Sequence, residues 1–311
     1  MPNPDLKKKY KILSVNIADK RGRKYSTNEI FLNEDGIEGD VHAGTIRPVS
    51  LLGLGHVDHF RNLTGSREFE FGEFAENISI EGMDDIDAKI FDIFVSGDVE
   101  FEVTAAGKPF HDKFREPGNY VMPKVGVFCR VLNQGILKAG DELTYIPKVY
   151  KINVITLSDR AYKGIYEDRS GPAIIEFLET FFSKKSERFE IEHTIIPDDP
   201  AALEALLLGA KEKKVDVVFT TGGTGIGPRD FTPEVVGSVI DKEIPGIMEM
   251  IRMKYGIEKP NAYLSRGVAG VMDQTLLYAL PGSVKAVNEY MTEILKTMMH
   301  LFYMLHGVDA H

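Results

Sequence analysis

Residues 215–234 read VDVVFTTGGTGIGPRDFTPE and gather the groups that a phosphate site needs. Gly222, Gly223, Gly225 and Gly227 strip β-carbons from one short loop, so backbone N–H groups can close on an anion and positive φ is open without strain. Thr220, Thr221 and Thr224 add hydroxyls. Arg229 suits the charge of a phosphate, and Asp230 suits a divalent cation or the orientation of a reacting group. The loop has neither the lysine of a Walker A motif nor the spacing of a GxGxxG dinucleotide fingerprint. A tight structural turn is the plain alternative for the glycines taken alone.

The elements that must position this loop lie on either side of it. The apolar, β-branched run 215–219 predicts a strand covered on both faces, and Thr232, Pro233 and Glu234 predict a helix start with Thr232 as N-cap and Pro233 in the first helical position. Further strands are predicted at 152–157, 189–196 and 276–280, and helices at 172–182, 200–213, 233–241, 245–255 and about 284–306, the last stopped by Gly307. Alternating strands and amphipathic helices predict a doubly wound, mostly parallel sheet, in which ligands bind beyond the carboxyl ends of the strands. Those ends carry Ser158 and Asp159, with Asp168, Ser170 and Gly171 further along the same loop; then Asp198 and Asp199; then 221–230; then Pro281, Gly282 and Ser283. Helix capping is the plain alternative for Ser170, Asp199 and Thr232. Taken together, the carboxylates and anion-binding loops suit Mg2+ and phosphates, and nothing suggests a covalent nucleophile.

TGGTG followed by PRDFTPE resembles the signature of the MogA/MoaB molybdopterin-binding family, and the resemblance extends over nearly all of 150–306. Ser158-Asp159-Arg160, with 166–172, is similar to that family's first loop. Ser265-Arg266 and Leu280-Pro281-Gly282-Ser283 are similar to its pterin-side and late-loop signatures. The resemblance implies transfer of AMP from ATP to the terminal phosphate of molybdopterin with Mg2+. It places the catalytic, metal-holding aspartates on Asp198 and Asp230, phosphate binding on Thr221 to Gly225, and charge neutralisation on Arg229 or Arg266. It also implies a homo-oligomer, trimer or hexamer, with other molybdenum-cofactor proteins as possible partners. Family members without clear activity share these loops, so a noncatalytic molybdopterin carrier stands as an alternative.

The first half has a different texture. Short apolar runs at 10–17, 25–32, 49–52, 77–80, 93–95, 100–103, 125–132 and 142–146, split by Gly and Asp, predict a β-barrel or sandwich, with 135–141 as a turn. Residues 36–44 (GIEGDVHAG), 76–82 (ENISIEG) and 122–128 (MPKVGVF) resemble the MOSC domain, associated with molybdenum-cofactor sulfur chemistry. MOSC domains carry a cysteine after the Glu-Val-Thr strand; here that stretch holds Phe110, His111 and Phe114, and a phenyl ring carries no persulfide. Cys129 lies within an apolar run and reads as a small buried hydrophobe, and His42 and His111 as surface or hydrogen-bonding groups. The barrel is therefore expected to bind or scaffold, with sulfur transfer as a further alternative. The break at 147–151 predicts domains at 1–147 and 151–311.

The composition, 43% hydrophobic and 27% charged with net charge −10, is globular and argues against nonspecific nucleic-acid binding. The single cysteine excludes an intramolecular disulfide. No apolar run approaches membrane-spanning length, and a cytoplasmic, soluble protein is expected.

Overall fold

The computed structural model describes residues 7–58, 68–83, 86–107, 122 and 125–308. Phe110, His111 and Phe114 lie outside the described residues. The chain divides into two compact units, one ending at Lys148 and the other spanning Val149–Val308.

The first unit is a closed barrel. Strands β1 (Lys8–Ile17), β2 (Tyr25–Thr27), β3 (Glu29–Asn33), β4 (Gly36–Ile37), β5 (Val49–Gly53), β6 (Ile78–Ile80), β7 (Ile93–Ser96), β8 (Val99–Ala106), β9 (Val127–Asn133), β10 (Gly135–Lys138) and β11 (Glu142–Ile146) follow in order. The ring runs β11-β7-β8-β9-β5-β6-β1 and closes through β1 and β11, while β2 extends from β1 and β10-β3-β4 form a small second sheet. In β3 alternation is visible residue by residue, Ile30 and Leu32 buried and Glu29 and Phe31 exposed. The run 25–32 is thus two strands broken at Asn28. Gly135–Lys138, expected as turn, is strand β10 paired with β3, and the turn itself falls on Gly140 at φ 94°.

Ile12, Leu51, Phe94, Phe101, Cys129 and Leu143 belong to one apolar cluster inside the barrel, with the Phe94 and Phe101 rings stacked at 5.6 Å. The MOSC-like motifs instead supply a buried polar network. Lys24 Nζ donates to both Asp40 oxygens (2.8 and 2.7 Å), Asn77 Nδ2 donates to Asp40 Oδ2 (3.1 Å), and His42 Nδ1 sits 3.2 Å from Asp40 Oδ1. Glu76 Oε1 accepts from Gly72 N–H and Ser79 Oγ, and burial raises its pKa against those bonds.

In the second unit, β12 (Tyr150–Leu157) leads to α1 (Asp159–Tyr162) and α2 (Ser170–Lys184), β13 (Phe189–Ile196) to α3 (Pro200–Glu212), and β14 (Val217–Thr221) to α4 (Thr232–Val239). There follow β15 (Lys242–Glu243), α5 (Pro245–Gly256), a 3-10 turn (Pro260–Leu264), β16 (Val268–Met272), β17 (Thr275–Leu280), α6 (Val284–Ile294) and α7 (Met298–Leu305). The sheet order is β13-β12-β14-β17-β16-β15: the first four are parallel, and β16 and β15 add antiparallel. Every residue of β14 and of β17 is buried, which is why both read as unbroken apolar runs. Ile155, Leu157, Val218, Leu277 and Ala279 pack with Leu203 and Leu207 of α3 and Val236 of α4. Alternate positions point the other way, where the rings of Tyr150, Phe182 and Phe302 meet within 5.2 Å.

The segment expected as one helix over 284–306 is two. Thr297 Oγ1 bonds the Ile294 carbonyl (3.2 Å) and Lys296 and Thr297 N–H turn back to Glu293 and Ile294, a hydroxyl competing for the helix backbone at the break. Burial of Val287, Met291, Ile294, Met298 and Phe302 continues across it. Gly307 at φ 62° closes α7, with its own N–H on Met304 O and that of Val308 on Tyr303 O, a Schellman ending.

Burial without a polar partner holds the Cys129 thiol well above its ordinary pKa, with nearby Glu102 and Asp92 adding to the shift. An aromatic disulfide reagent should therefore leave native protein unlabelled and react only after denaturation. Cys129→Ser should lower barrel stability by about 1–3 kcal/mol, read from denaturant melts, because it buries an unpaired hydroxyl.

Candidate active site

The parallel register sets the loops side by side: Thr156 pairs with Thr221, Thr221 with Leu280, and Leu157 with Ile196. Beyond Thr221 the chain turns through Gly222 (φ 109°) and Gly223 (φ 65°). A β-carbon on Gly222 would lie 2.4 Å from the Leu157 carbonyl oxygen, and one on Gly223 2.5 Å from Thr232 Oγ1, so neither position admits another residue. Thr232 is inside α4, and its hydroxyl donates to the Gly222 carbonyl (2.9 Å) rather than capping the helix; it fastens the helix start to the loop base. Thr221 Oγ1 donates to Pro281 O (3.0 Å), and Gly222 N–H to Leu280 O (3.0 Å), binding the 281–283 turn to the same base. Thr220 is buried in β14, its hydroxyl without a partner among the described residues.

Past this base the N–H groups of Gly223, Thr224, Gly225 and Ile226 make no hydrogen bond among the described residues. Consecutive unpaired amides in a glycine turn form an anion-binding concavity. Asp230 closes the loop on itself, Oδ2 accepting from Gly227 N–H (2.8 Å) and its own N–H meeting Gly227 O (3.0 Å).

The loop after β12 is built on carboxylates. Ser158 Oγ caps α1 through Ala161 N–H (3.3 Å). Asp159 Oδ1 accepts from the Asp198 N–H (3.2 Å), and its Oδ2 lies 3.3 Å from Arg229 Nη1. One side chain thereby ties three strand ends together. Asp168 starts α2: Oδ1 accepts from the N–H of Ser170 (2.9 Å) and Gly171 (3.2 Å) and from Ser170 Oγ (3.0 Å). Its Oδ2 accepts from Thr156 Oγ1 (2.7 Å) and sits 3.2 Å from His193 Nε2. The capping group of α2 is therefore Asp168, not Ser170, because only the carboxylate reaches the free amides. Asp199 caps α3 and Ser283 caps α6.

Ser265 accepts from Tyr290 Oη (2.8 Å), and Arg266 lies with its guanidinium on the glycine loop and Glu234. A cavity of ≈ 350 Å³ opens between the loops, lined by Leu157, Ser158, Asp159, Arg160, Asp198, Gly223, Gly227, Pro228, Arg229 and Asp230. The structure thus gathers Ser158, Asp159, Asp198, Gly223, Arg229 and Asp230 on one wall-to-wall space. Asp168, Ser170, Gly171, Thr221, Gly222, Thr224, Gly225, Ser265, Arg266, Pro281, Gly282 and Ser283 stand outside its lining, holding the elements that form it. Arg160 and Pro228 are lining residues that the motif reading passed over; Arg160 was marked only by its place beside Asp159. His193, lone on a strand, gave no signal.

The Asp198 carboxylate has no hydrogen bond or ion pair among the described residues, and Asp230 keeps one oxygen unbonded. No group of three or more His, Cys, Asp or Glu side chains able to hold a metal occurs among the described residues. Two hard carboxylates on a shared cavity still fit Mg2+, which takes most of its ligands from phosphates and water.

Fold and site define a doubly wound α/β protein with a cavity and a run of unpaired amides at its strand ends. Residues 153–300 match the family described as probable molybdopterin binding domain, and residues 38–144 match the MOSC domain. The chain is 40% identical over 139 residues to the molybdopterin adenylyltransferase of Helicobacter pylori, covering 44% of this chain and 77% of that protein. It is 39% identical over 160 residues to that of Pyrococcus furiosus, covering 50% and 90%. Against a gephyrin of Dictyostelium discoideum it is 35% identical over 155 residues, 48% of this chain but only 21% of that longer protein. Through its second unit the chain belongs to the molybdenum-cofactor biosynthesis family of the molybdopterin adenylyltransferases, and its first unit is a MOSC domain.

Hydrogen bonds from Thr156, Gly171 and Ser170 overcome the opposing effect of burial and hold the Asp168 carboxyl below its ordinary pKa of 3.8. Its stabilising contribution is therefore complete above pH 3.8 and is lost as the pH falls through the lower folded value. Asp168→Asn should cost about 1–3 kcal/mol at neutral pH, with the deficit against the parent shrinking in acid, read from melts across pH 7 to 2.

Proposed function

We propose that the second unit transfers AMP from ATP to the terminal phosphate of molybdopterin. A phosphate oxygen of molybdopterin attacks the α-phosphorus of ATP; the new P–O bond forms as the bond to the bridging oxygen of the β-phosphate breaks, and pyrophosphate leaves. The observation that carries this reading is the cavity that Asp198 and Asp230 share with Arg229 and with Gly223, the first of the loop's unpaired amides. No nucleophile from the protein is needed, because phosphoryl-type transfer rests on positioning and charge neutralisation. The relatives' names support the substrates, as the H. pylori and P. furiosus proteins are both called molybdopterin adenylyltransferases.

Gly223, which lines the cavity, receives a phosphate oxygen on its unpaired N–H group. Arg229, three-quarters exposed and only loosely paired with Asp159, supplies mobile positive charge, and Arg160, which also lines the cavity, adds to it. Asp198 and Asp230 are the residues that would hold Mg2+, which when bound neutralises the triphosphate. The MOSC unit serves as a binding or scaffold module, since its cysteine is locked in the core. Homo-oligomerisation, as trimer or hexamer, would cover exposed apolar side chains of the second unit such as Met253, Ile257 and Leu264. No helix among the described residues is long and apolar enough to cross a membrane.

Pyrophosphate release from ATP plus molybdopterin, with and without Mg2+, tests the reading. Asp230→Asn keeps size and removes charge, so turnover should drop by about 100-fold or more while molybdopterin binding persists. Binding without any pyrophosphate release by the parent protein would instead make it a carrier.

A further inference from the structure

The loop that bears Asp230 is poorly equipped to hold itself. Ile226, Gly227, Pro228 and Arg229 are exposed, Gly225 and Gly227 are entropically costly to fix, and the amides of 223–226 are unpaired. Its only bonds within 224–230 run between Gly227 and Asp230.

What fixes it is a residue from outside. The Arg266 N–H donates to Thr224 O (3.1 Å), its Nε to Gly225 O (2.7 Å) and its Nη2 to Asp230 O (2.8 Å), while Nη1 pairs with the Glu234 carboxylate in the first turn of α4. The guanidinium therefore bridges the outgoing and returning limbs of the loop and locks both to the helix that follows. Its mount is rigid in turn: Ser265 Oγ accepts from Tyr290 Oη (2.8 Å) on α6, and Arg252 Nη1 reaches the carbonyls of Ser265 and Gly267 (3.4 Å each) from α5. With Arg266 outside the cavity lining and each of its three side-chain nitrogens engaged, its charge is spent on two backbone carbonyls and Glu234 rather than on a ligand.

The geometry points to Arg266 as a positioning residue for the proposed adenylyl transfer: a cross-brace that sets the backbone of Asp230, and with it the carboxylate, and holds the free amides of 223–226 open. This rests on the reading of the site given above. The planar fork makes the role specific to arginine, because a lysine ammonium cannot span two carbonyls and a carboxylate in one plane.

Arg266→Ala, Arg266→Lys and Glu234→Gln in the full chain test it, with pyrophosphate-release kinetics and amide hydrogen exchange of the ligand-free protein. The expected result for Arg266→Ala is a kcat lower by about 100-fold, as for misplacement of a reacting group by about 1 Å, with a much smaller rise in the KM for ATP. Arg266→Lys should recover part of the loss and Glu234→Gln should lose least, since the carbonyl contacts survive. Exchange should accelerate at 223–231 and not in the sheet. A rise in KM with kcat intact would put the guanidinium on the substrate and overturn the inference, as would unaltered exchange of the loop. If the parent protein shows no transfer, the exchange result decides alone, so failure of the brace and failure of the enzymatic reading stay separate. Should Arg266→Ala unfold, Arg266→Lys is judged by the same two readouts.

Discussion

The parallel ladder β13-β12-β14-β17 is the constraint on which the second unit depends. A parallel sheet buried on both faces ends abruptly, and at its carboxyl edge every strand must release the chain into a loop whose backbone groups need new partners. In this chain some groups find them at the last residue of a neighbouring strand: Ser158 N–H takes Ile196 O, and Gly222 N–H takes Leu280 O. Others stay open. The turn at Gly222 passes so close to the Leu157 carbonyl that no β-carbon fits, and the next four amides find no partner among the described residues. The unpaired amides thus follow directly on the close approach of adjacent strand ends.

Much of this architecture was readable in advance, for reasons tied to particular residues. β14 and β17 are entirely buried, so their apolar runs had no polar face to blur them, and α2 shows Ile174, Leu178 and Phe182 at helical spacing. β16 escaped because Gly270 weakens its strand pattern and the turn at Asp273 (φ 57°) lacks the usual Asn-Gly or Asp-Gly pair; the glycine is there because Ile240 and the Lys242 carbonyl press against it. The break at Thr297 escaped because the apolar stripe runs through it unchanged. Caps were misread for a different reason. Ser170 and Thr232 stand where a capping hydroxyl belongs, but the bond goes to whichever oxygen reaches the amide, and that is settled by loop geometry.

The MOSC unit shows a motif whose residues are spent inward. Asp40 and Lys24 form an almost fully buried ion pair, saturated by Asn77, Ala18 N–H and His42 N–H. Burial pulls the Lys24 ammonium below its ordinary pKa even as Asp40 opposes the shift, so the pair persists only because the donors around Asp40 are complete. Glu76 keeps one oxygen buried without a partner beside this network. Residues that a motif marks as conspicuous are here part of the barrel's polar core, with His42 reaching toward solvent.

The same division runs through the second unit and decides which conspicuous residues can do chemistry. Asp168 spends its carboxylate on helix amides and on Thr156, Asp159 on Asp198 and Arg229, and Arg266 on loop carbonyls and Glu234. A charge already paired in the unliganded protein must give up those bonds before it can meet a substrate, and the loss offsets what the new contact contributes. Asp198 carries no such commitment, Asp230 keeps a free oxygen, and Arg229 is held by one exposed pair that solvent screens. Sequence can name all of these residues at the strand ends, since their types and spacing are visible there. Which are free depends on bonds between positions 12 to 70 residues apart, such as Asp168 to Thr156 and Arg229 to Asp159, and those exist only once the sheet has brought the loops level.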